Sequence, residues 1–181
     1  MSFYYFAYGS NMLPARLVAR CPSAQVFGRA AAPGWRVEFW KHGRDGSGKA
    51  TLIEDTATQV PGVLYRIEDG DLAALDRAEG AGFGYDRLDD LAIDAAGTAL
   101  RVASYVASHP EPDLLPFDWY LALVVAGAEQ AGLGADHIAA LRRHDWQVDA
   151  FLARAGRQEG LRALTAHGWA DAAAVLQGQA G

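Results

Sequence analysis

The chain has 181 residues, with 16 basic and 22 acidic side chains and a formal charge of −6. The basic residues do not cluster, so this balance argues against a nucleic-acid partner. Cys21 is the single cysteine, which excludes an intramolecular disulfide and a thiolate metal cluster and suits a reducing cytoplasm; with no basic leader and no apolar run near the ~20 residues that span a bilayer, no membrane association is expected.

At this length the chain suits one domain with a small helical appendage. Ser2 to Ala7, SFYYFA, is an aromatic run bounded by Gly9 and reads as a first strand. Met12 to Cys21 spaces Leu13, Leu17 and Val18 at helical intervals. Ser10 or Asn11 serves as its cap, and Pro14 falls in the first turn, where a missing N–H costs little.

From Gly34 to Ser108 the pattern is one of strands: WRVEFWK, ATLIED, QVPGVLYRI, YDRLDDLAI and ALRVASYVA, separated by Gly, Asp or Pro. This predicts a largely antiparallel sheet, curved or closed. One helix interrupts it, Asp71 to Glu79, with Asp69 or Asp71 to cap its start and Gly80 to stop it.

Beyond the HPEPDLLP loop the chain turns helical, in FDWYLALVVAGAEQAG, ADHIAALRRH, Trp146 to Arg157 and Glu159 to about Gln177. The fold class is therefore α+β. Residues 145–181 read as a helical extension packed on the same domain or on a partner copy in a homodimer, because Trp146, Phe151, Leu161, Leu164 and Trp169 need a surface to bury against.

Several motifs carry ordinary explanations. Gly43 to Ala50, GRDGSGKA, approaches a phosphate-loop pattern, but Ala50 stands where the magnesium-binding Ser or Thr belongs and a strand follows instead of a helix; a hairpin loop is expected. His42, His109, His137, His144 and His167 show no metal-site spacing and read as solvated surface residues. Cys21, before Pro22, reads as a half-buried structural thiol. Ser10 lacks the strained elbow of a serine nucleophile.

Glu79 is more informative. Leu72, Leu75 and Glu79 fall at i, i+3 and i+7, so the carboxylate extends the apolar face of its helix. It also sits in the last turn, where the helix dipole and burial both disfavour its charge. A functional carboxyl group and a frayed helix end that lets Glu79 reach water are both compatible with these residues. Gly80 to Gly84, GAGFG, is glycine-dense and reads as a lid or as a plain connection, with Tyr85 opening the next strand. The turn at Gly9, Ser10 and Asn11 is either a helix cap alone or a cradle whose spare N–H groups meet an anionic oxygen.

YFAYGSNM near the start and LDRAEG some seventy residues later resemble the γ-glutamylcyclotransferase family. Further points of likeness are Pro22 to Ala24, the GVLYRI and RVASYV strands, and FDWY followed by GAEQAGL, together covering residues 3 to 144. The resemblance implies a domain over residues 1–144 built as a small curved β-barrel with flanking helices, and an enzyme that converts a γ-glutamyl amide into 5-oxoproline and a free amine without metal or other cofactor. By position it makes Glu79 the catalytic acid/base, Tyr5, Phe6, Ala7, Tyr8, Gly9 and Ser10 the γ-glutamyl cradle, largely through main-chain groups, with Asn11 shaping the turn, and Tyr120 a substrate-binding hydroxyl. The GAGFG loop is shorter than in the animal members, which leaves open whether Tyr85 lines the pocket. The partner implied is a small γ-glutamyl molecule. The alternative is a non-catalytic member that binds a metabolite or a protein in the same cavity.

Overall fold

A computed structural model describes residues 1–178; the last three residues of the extension, 179–181, lie outside the described residues. Five strands form a curved sheet flanked by helices, an α+β architecture. They are β1 (Ser2–Ala7), β2 (Gln25–His42), β3 (Gly48–Glu68), β4 (Tyr85–Ala95) and β5 (Thr98–Ala107). Their order is β1-β3-β2-β4-β5, and the sheet closes on itself where β5 runs parallel to β1 at Tyr5 and Ala103. All other neighbours are antiparallel.

β2 and β3 are longer than the expected strands and form one ribbon. The segments ATLIED and QVPGVLYRI join into a single strand, and residues 25–34, ahead of the expected strand at WRVEFWK, pair with its second half. Gly and Pro mark bulges here instead of strand ends: the register shifts between Pro33 and Trp35, where Gly34 takes φ +81. Such shifts bend the ribbon round the core.

The expected first helix is split and shorter. A 3-10 turn at Ser10–Met12 is followed by α1 (Pro14–Val18), and neither Ser10 nor Asn11 caps a backbone N–H through its side chain. Their polar groups are engaged elsewhere, as described below. α2 (Leu72–Glu79) ends at Gly80 in the left-handed region, φ +70, as its sequence position requires. Its start also lacks the expected aspartate cap, because the Asp71 carboxylate accepts instead from the Ser23 N–H and hydroxyl at 2.9 and 2.6 Å.

α3 (Asp118–Ala131) is apolar on every side and is buried from Trp119 to Ala128, which makes it the central helix. Gly127 lets it press on the turn beside the site: a Cβ there would lie 2.7 Å from the Leu13 nitrogen and 2.8 Å from Met12 Cβ. The Tyr65 hydroxyl donates to the Met12 carbonyl from the other side at 2.9 Å. The Ser10–Met12 turn is thus clamped between helix and sheet.

α4 (Ala135–Arg142), α5 (Ala155–Ala166) and α6 (Ala172–Gln177) complete the described chain. The extension lies on α3 of the same chain; Gly160 of α5 sits against Trp119 and Leu123. Of the helix expected over Trp146 to Arg157, only Ala155 to Arg157 is helical, as the first turn of α5. Residues 146–154 run without helix beside the start of α3, where Asp118 donates its N–H to the Gln147 carbonyl, and buried Asp149 accepts from Trp119 Nε1 at 3.0 Å and Arg154 Nε at 2.7 Å. Of the side chains expected to seek burial, Leu164 is buried and Leu161 and Trp169 partly so, whereas Trp146 and Phe151 stay 42% and 60% exposed. His137 and His144 also depart from the surface reading: both are half-buried, His144 against the Phe39 ring, and burial lowers the pKa of each. Cys21 is fully buried, and that burial pushes its thiol up to about 11. Among the described residues no helix is long and apolar enough to cross a membrane.

Candidate functional site

The turn after β1, the end of α2 and the start of α3 meet at the mouth of the curved sheet. Between them lies a small recess of about 30 Å³ lined by Tyr5, Tyr8, Gly9, Ser10, Asn11, Ala50, Glu79, Tyr85, Tyr105 and Tyr120. It adjoins a larger chamber of about 550 Å³ that shares Ser10, Glu79, Tyr85 and Tyr120 with it.

Glu79 enters the recess from the last turn of α2, with its side chain 15% exposed. Asn11 Nδ2 donates to its Oε1 at 2.5 Å, and Arg20 Nη1 stands 3.9 Å from the same oxygen. Burial raises the Glu79 pKa and outweighs the opposing pull of Arg20, Asn11, Arg16 and Lys41. A carboxyl group held this way exchanges a proton nearer neutrality than a surface glutamate does.

Asn11 does more than shape the turn. It also donates to the Tyr5 hydroxyl at 3.2 Å and accepts from Arg20 Nη1 at 3.1 Å, so one amide orients the carboxyl group, a phenol and a guanidinium together. Ser10 Oγ accepts from Arg16 Nε at 3.0 Å. Among the described residues, no protein acceptor takes the N–H groups of Gly9, Ser10 and Asn11. Gly9 is needed for close approach: a Cβ would lie 3.1 Å from Ala50 Cβ and 3.6 Å from the Tyr120 hydroxyl.

The tyrosines form the recess wall. The Tyr85 hydroxyl donates to the Ala50 carbonyl at 2.6 Å, and the Tyr120 hydroxyl accepts from the Ala50 N–H at 3.1 Å, so both rings are fixed against β3. Tyr8 donates to the Tyr105 carbonyl, and Tyr105 in turn to Asp76 Oδ1 at 2.6 Å. Burial raises the pKa of Tyr5, Tyr8, Tyr85 and Tyr120, and the nearby Glu79 charge adds to it, so these phenols stay protonated donors at neutral pH.

Eight of the ten residues singled out from the sequence therefore meet in the recess; Phe6 and Ala7 do not. Phe6 points to the opposite face of β1 from Tyr5 and is fully buried, its carbonyl accepting from Ser104 Oγ at 3.0 Å, while Ala7 is held in the ladder opposite Val63. Both lie in the ladder with β3, and neither lines the recess. Tyr85 lines both the recess and the chamber.

Sequence reasoning missed Tyr105, Ala50 and the cations. Alternation along RVASYVA from Tyr105 was a usable signal for the first. No local pattern marks Arg16 and Arg20, which are held by Glu159 of α5 at 3.3 and 3.6 Å, far along the chain. Lys49 opens β3, just past the hairpin turn that follows β2. Its ammonium donates to Asp45 Oδ2 at 2.8 Å and to Ser47 Oγ at 2.6 Å, and lies 4.6 Å over the Tyr120 ring. The GRDGSGKA segment is thus a pinned hairpin whose charged residues face the chamber.

A curved sheet whose mouth holds one oriented, raised-pKa carboxyl group beside unpaired N–H groups defines a small-molecule site suited to proton transfer. The family model for gamma-glutamyl cyclotransferase, AIG2-like proteins matches residues 5–121. The chain is 30% identical over 147 residues to the gamma-glutamylcyclotransferases of Bos taurus and of Homo sapiens, spanning 75% of this chain and 75% of each relative. A solved gamma-glutamyl cyclotransferase superposes with a TM-score of 0.80 at 25% identity, over 88% of this chain and 97% of that one. YkqA from Bacillus subtilis does so at 0.68 and 27%, over 78% and 53%. The chain belongs to the gamma-glutamyl cyclotransferase, AIG2-like family.

Proposed function

We propose that this protein is a cytoplasmic γ-glutamylcyclotransferase, which closes a γ-glutamyl amide into 5-oxoproline and releases a free amino acid or amine, with Glu79 as its general acid/base. The observation that carries the reading is Glu79 itself: an inward carboxyl group, oriented by Asn11, with its pKa raised by burial.

In this reaction the substrate supplies its own nucleophile. The α-amine attacks the γ-carbonyl carbon, a ring C–N bond forms, and the bond to the departing nitrogen breaks. Holding the tethered amine in a near-attack geometry supplies much of the acceleration. The α-ammonium gives up two protons over the cycle and the departing nitrogen takes up two. Glu79 accepts a proton from the attacking amine and returns one to the departing nitrogen, which lets the bond break. The N–H groups of Gly9, Ser10 and Asn11 hold an anionic oxygen of the substrate, and the Tyr5, Tyr85 and Tyr120 hydroxyls complete its pocket.

The test is incubation of the purified protein with a panel of γ-glutamyl amino acids and amines, with 5-oxoproline measured. Glu79→Gln is expected to lower the rate by roughly 10²–10⁴ while leaving the fold intact. Full activity in that variant removes Glu79 from its role, and ligand binding with no product from any substrate favours a non-catalytic binding module.

A further inference from the structure

We propose that the chamber outside the recess selects γ-glutamyl substrates whose departing amine carries two carboxylates, with Lys41 as the specificity-determining cation. This rests on the cyclisation reading above. The recess has room only for the reacting end of a substrate, so the departing group must lie in the chamber of about 550 Å³.

The charge of that chamber opposes the charge of the protein. A chain of net charge −6 lines it with seven cationic side chains against the carboxylates of Asp45 and Glu79. Glu159, which pairs with Arg16 and Arg20, and Asp149, which pairs with Arg154, compensate from behind the wall. Three positive charges are left over. A γ-glutamyl head with its ammonium and carboxylate brings no net charge, and a departing amino acid with one carboxylate leaves two cations unmatched. A second carboxylate reduces the surplus to one.

The surplus is local. Lys41 on β2 is 9% exposed, and its ammonium has no ion pair or hydrogen-bond acceptor among the described residues. It lies 5.0 Å over the Tyr85 ring and passes Gly84, where a Cβ would come within 2.9 Å of Lys41 Cε. Burial, with Arg44 adding to it, lowers the Lys41 pKa and outweighs the pull of the Glu79 and Asp45 charges, neither of which makes an ion pair with it. Arg44 from the hairpin and Arg77 from α2 also face the chamber without ion pairs among the described residues. These cations come from β2, the hairpin and α2 and so line the cavity from three elements, an arrangement that can meet two carboxylates of one departing group.

The test compares γ-glutamylglutamate with γ-glutamylglutamine, which match in shape and differ by one charge. The wild-type protein is expected to favour the glutamate compound by about tenfold or more in kcat/KM, the scale of one enclosed ion pair. Lys41→Met brings the ratio toward one, Lys41→Arg preserves it, and Arg77→Gln, at an exposed helix position, lowers it partway. Equal turnover of both compounds by the wild type overturns the proposal alone, as does a ratio unchanged in Lys41→Met. Release of 5-oxoproline from neither compound or from any other γ-glutamyl substrate sinks the cyclisation reading and this proposal with it.

Discussion

Asn11→Ala separates an amide that tunes Glu79 from one that merely shapes a turn. The Asn11 Nδ2 group donates to Glu79 Oε1 at 2.5 Å in a site where the carboxyl side chain is 15% exposed. A hydrogen bond to a charged group contributes about 1.5–3 kcal/mol and one to a neutral group about 0.5–1.5 kcal/mol. The difference, about 1–1.5 kcal/mol, is what Asn11 gives the carboxylate over the carboxylic acid, and at 1.36 kcal/mol per unit this is about one pKa unit. Removing the amide should therefore raise the Glu79 pKa further. The assay is kcat/KM for a γ-glutamyl substrate against pH, whose acid limb reports the free enzyme's base. It is expected to move up by about one unit. An acid limb that stays in place while KM rises equally at every pH would refute the tuning role and return Asn11 to the turn.

Glu79→Gln also has a consequence for stability. The folded-state pKa lies above the ordinary value of 4.5, so ionisation of Glu79 opposes folding as pH rises through the folded value. The variant should unfold at a higher temperature than wild type at pH 8, with the gap closing as pH falls below 4.5, read by thermal melts across pH. Gly127→Ala puts a methyl group 2.7–2.9 Å from the Met12–Leu13 backbone and Met12 Cβ, against the clamp on the Ser10–Met12 turn. Overpacking of about 1–3 kcal/mol exceeds the helix-propensity gain of about 1 kcal/mol, so the melting temperature should fall and KM rise together.

The sequence carried the sheet-rich middle, the α2 stop at Gly80 and the inward side of Glu79, because each depends on residues within one or two turns of the chain. Leu75 is fully buried on the same face, and Gly80 takes the left-handed conformation its place demands. What was not legible has a common cause in distant partners. Ser10 and Asn11 look like caps in isolation, but Arg16 and Glu79 claim their side chains. Trp146 to Arg157 has helical composition, yet helix begins only at Ala155, because Asp149 is drawn to Trp119 and Arg154 and Gln147 makes a strand-like contact with Phe117. Pro33 and Gly34 look like a strand end and instead mark a bulge, because a ribbon this long must bend.

The extension's reach into the site yields a prediction of opposite sign to the first. Glu159 of α5 binds Arg16 Nη1 at 3.3 Å and Arg20 Nη2 at 3.6 Å, while Arg20 Nη1 remains 3.9 Å from Glu79. Arg20 is thus shared between two carboxylates, and the negative charge of Glu159 opposes the pull of the arginines on Glu79. Burial still outweighs the combined pull of Arg20, Asn11, Arg16 and Lys41 at Glu79. Removing the competing charge with Glu159→Gln leaves Arg20 to Glu79 alone, favours the carboxylate and should lower the Glu79 pKa. The acid limb of kcat/KM then moves down in pH, against the upward shift of Asn11→Ala. Glu159 lies 41% exposed, outside the recess lining, so it acts on Glu79 by charge alone, through the arginines it holds and by its own repulsion. An unmoved or rising limb would mean that α5 packs beside the site without setting its proton affinity.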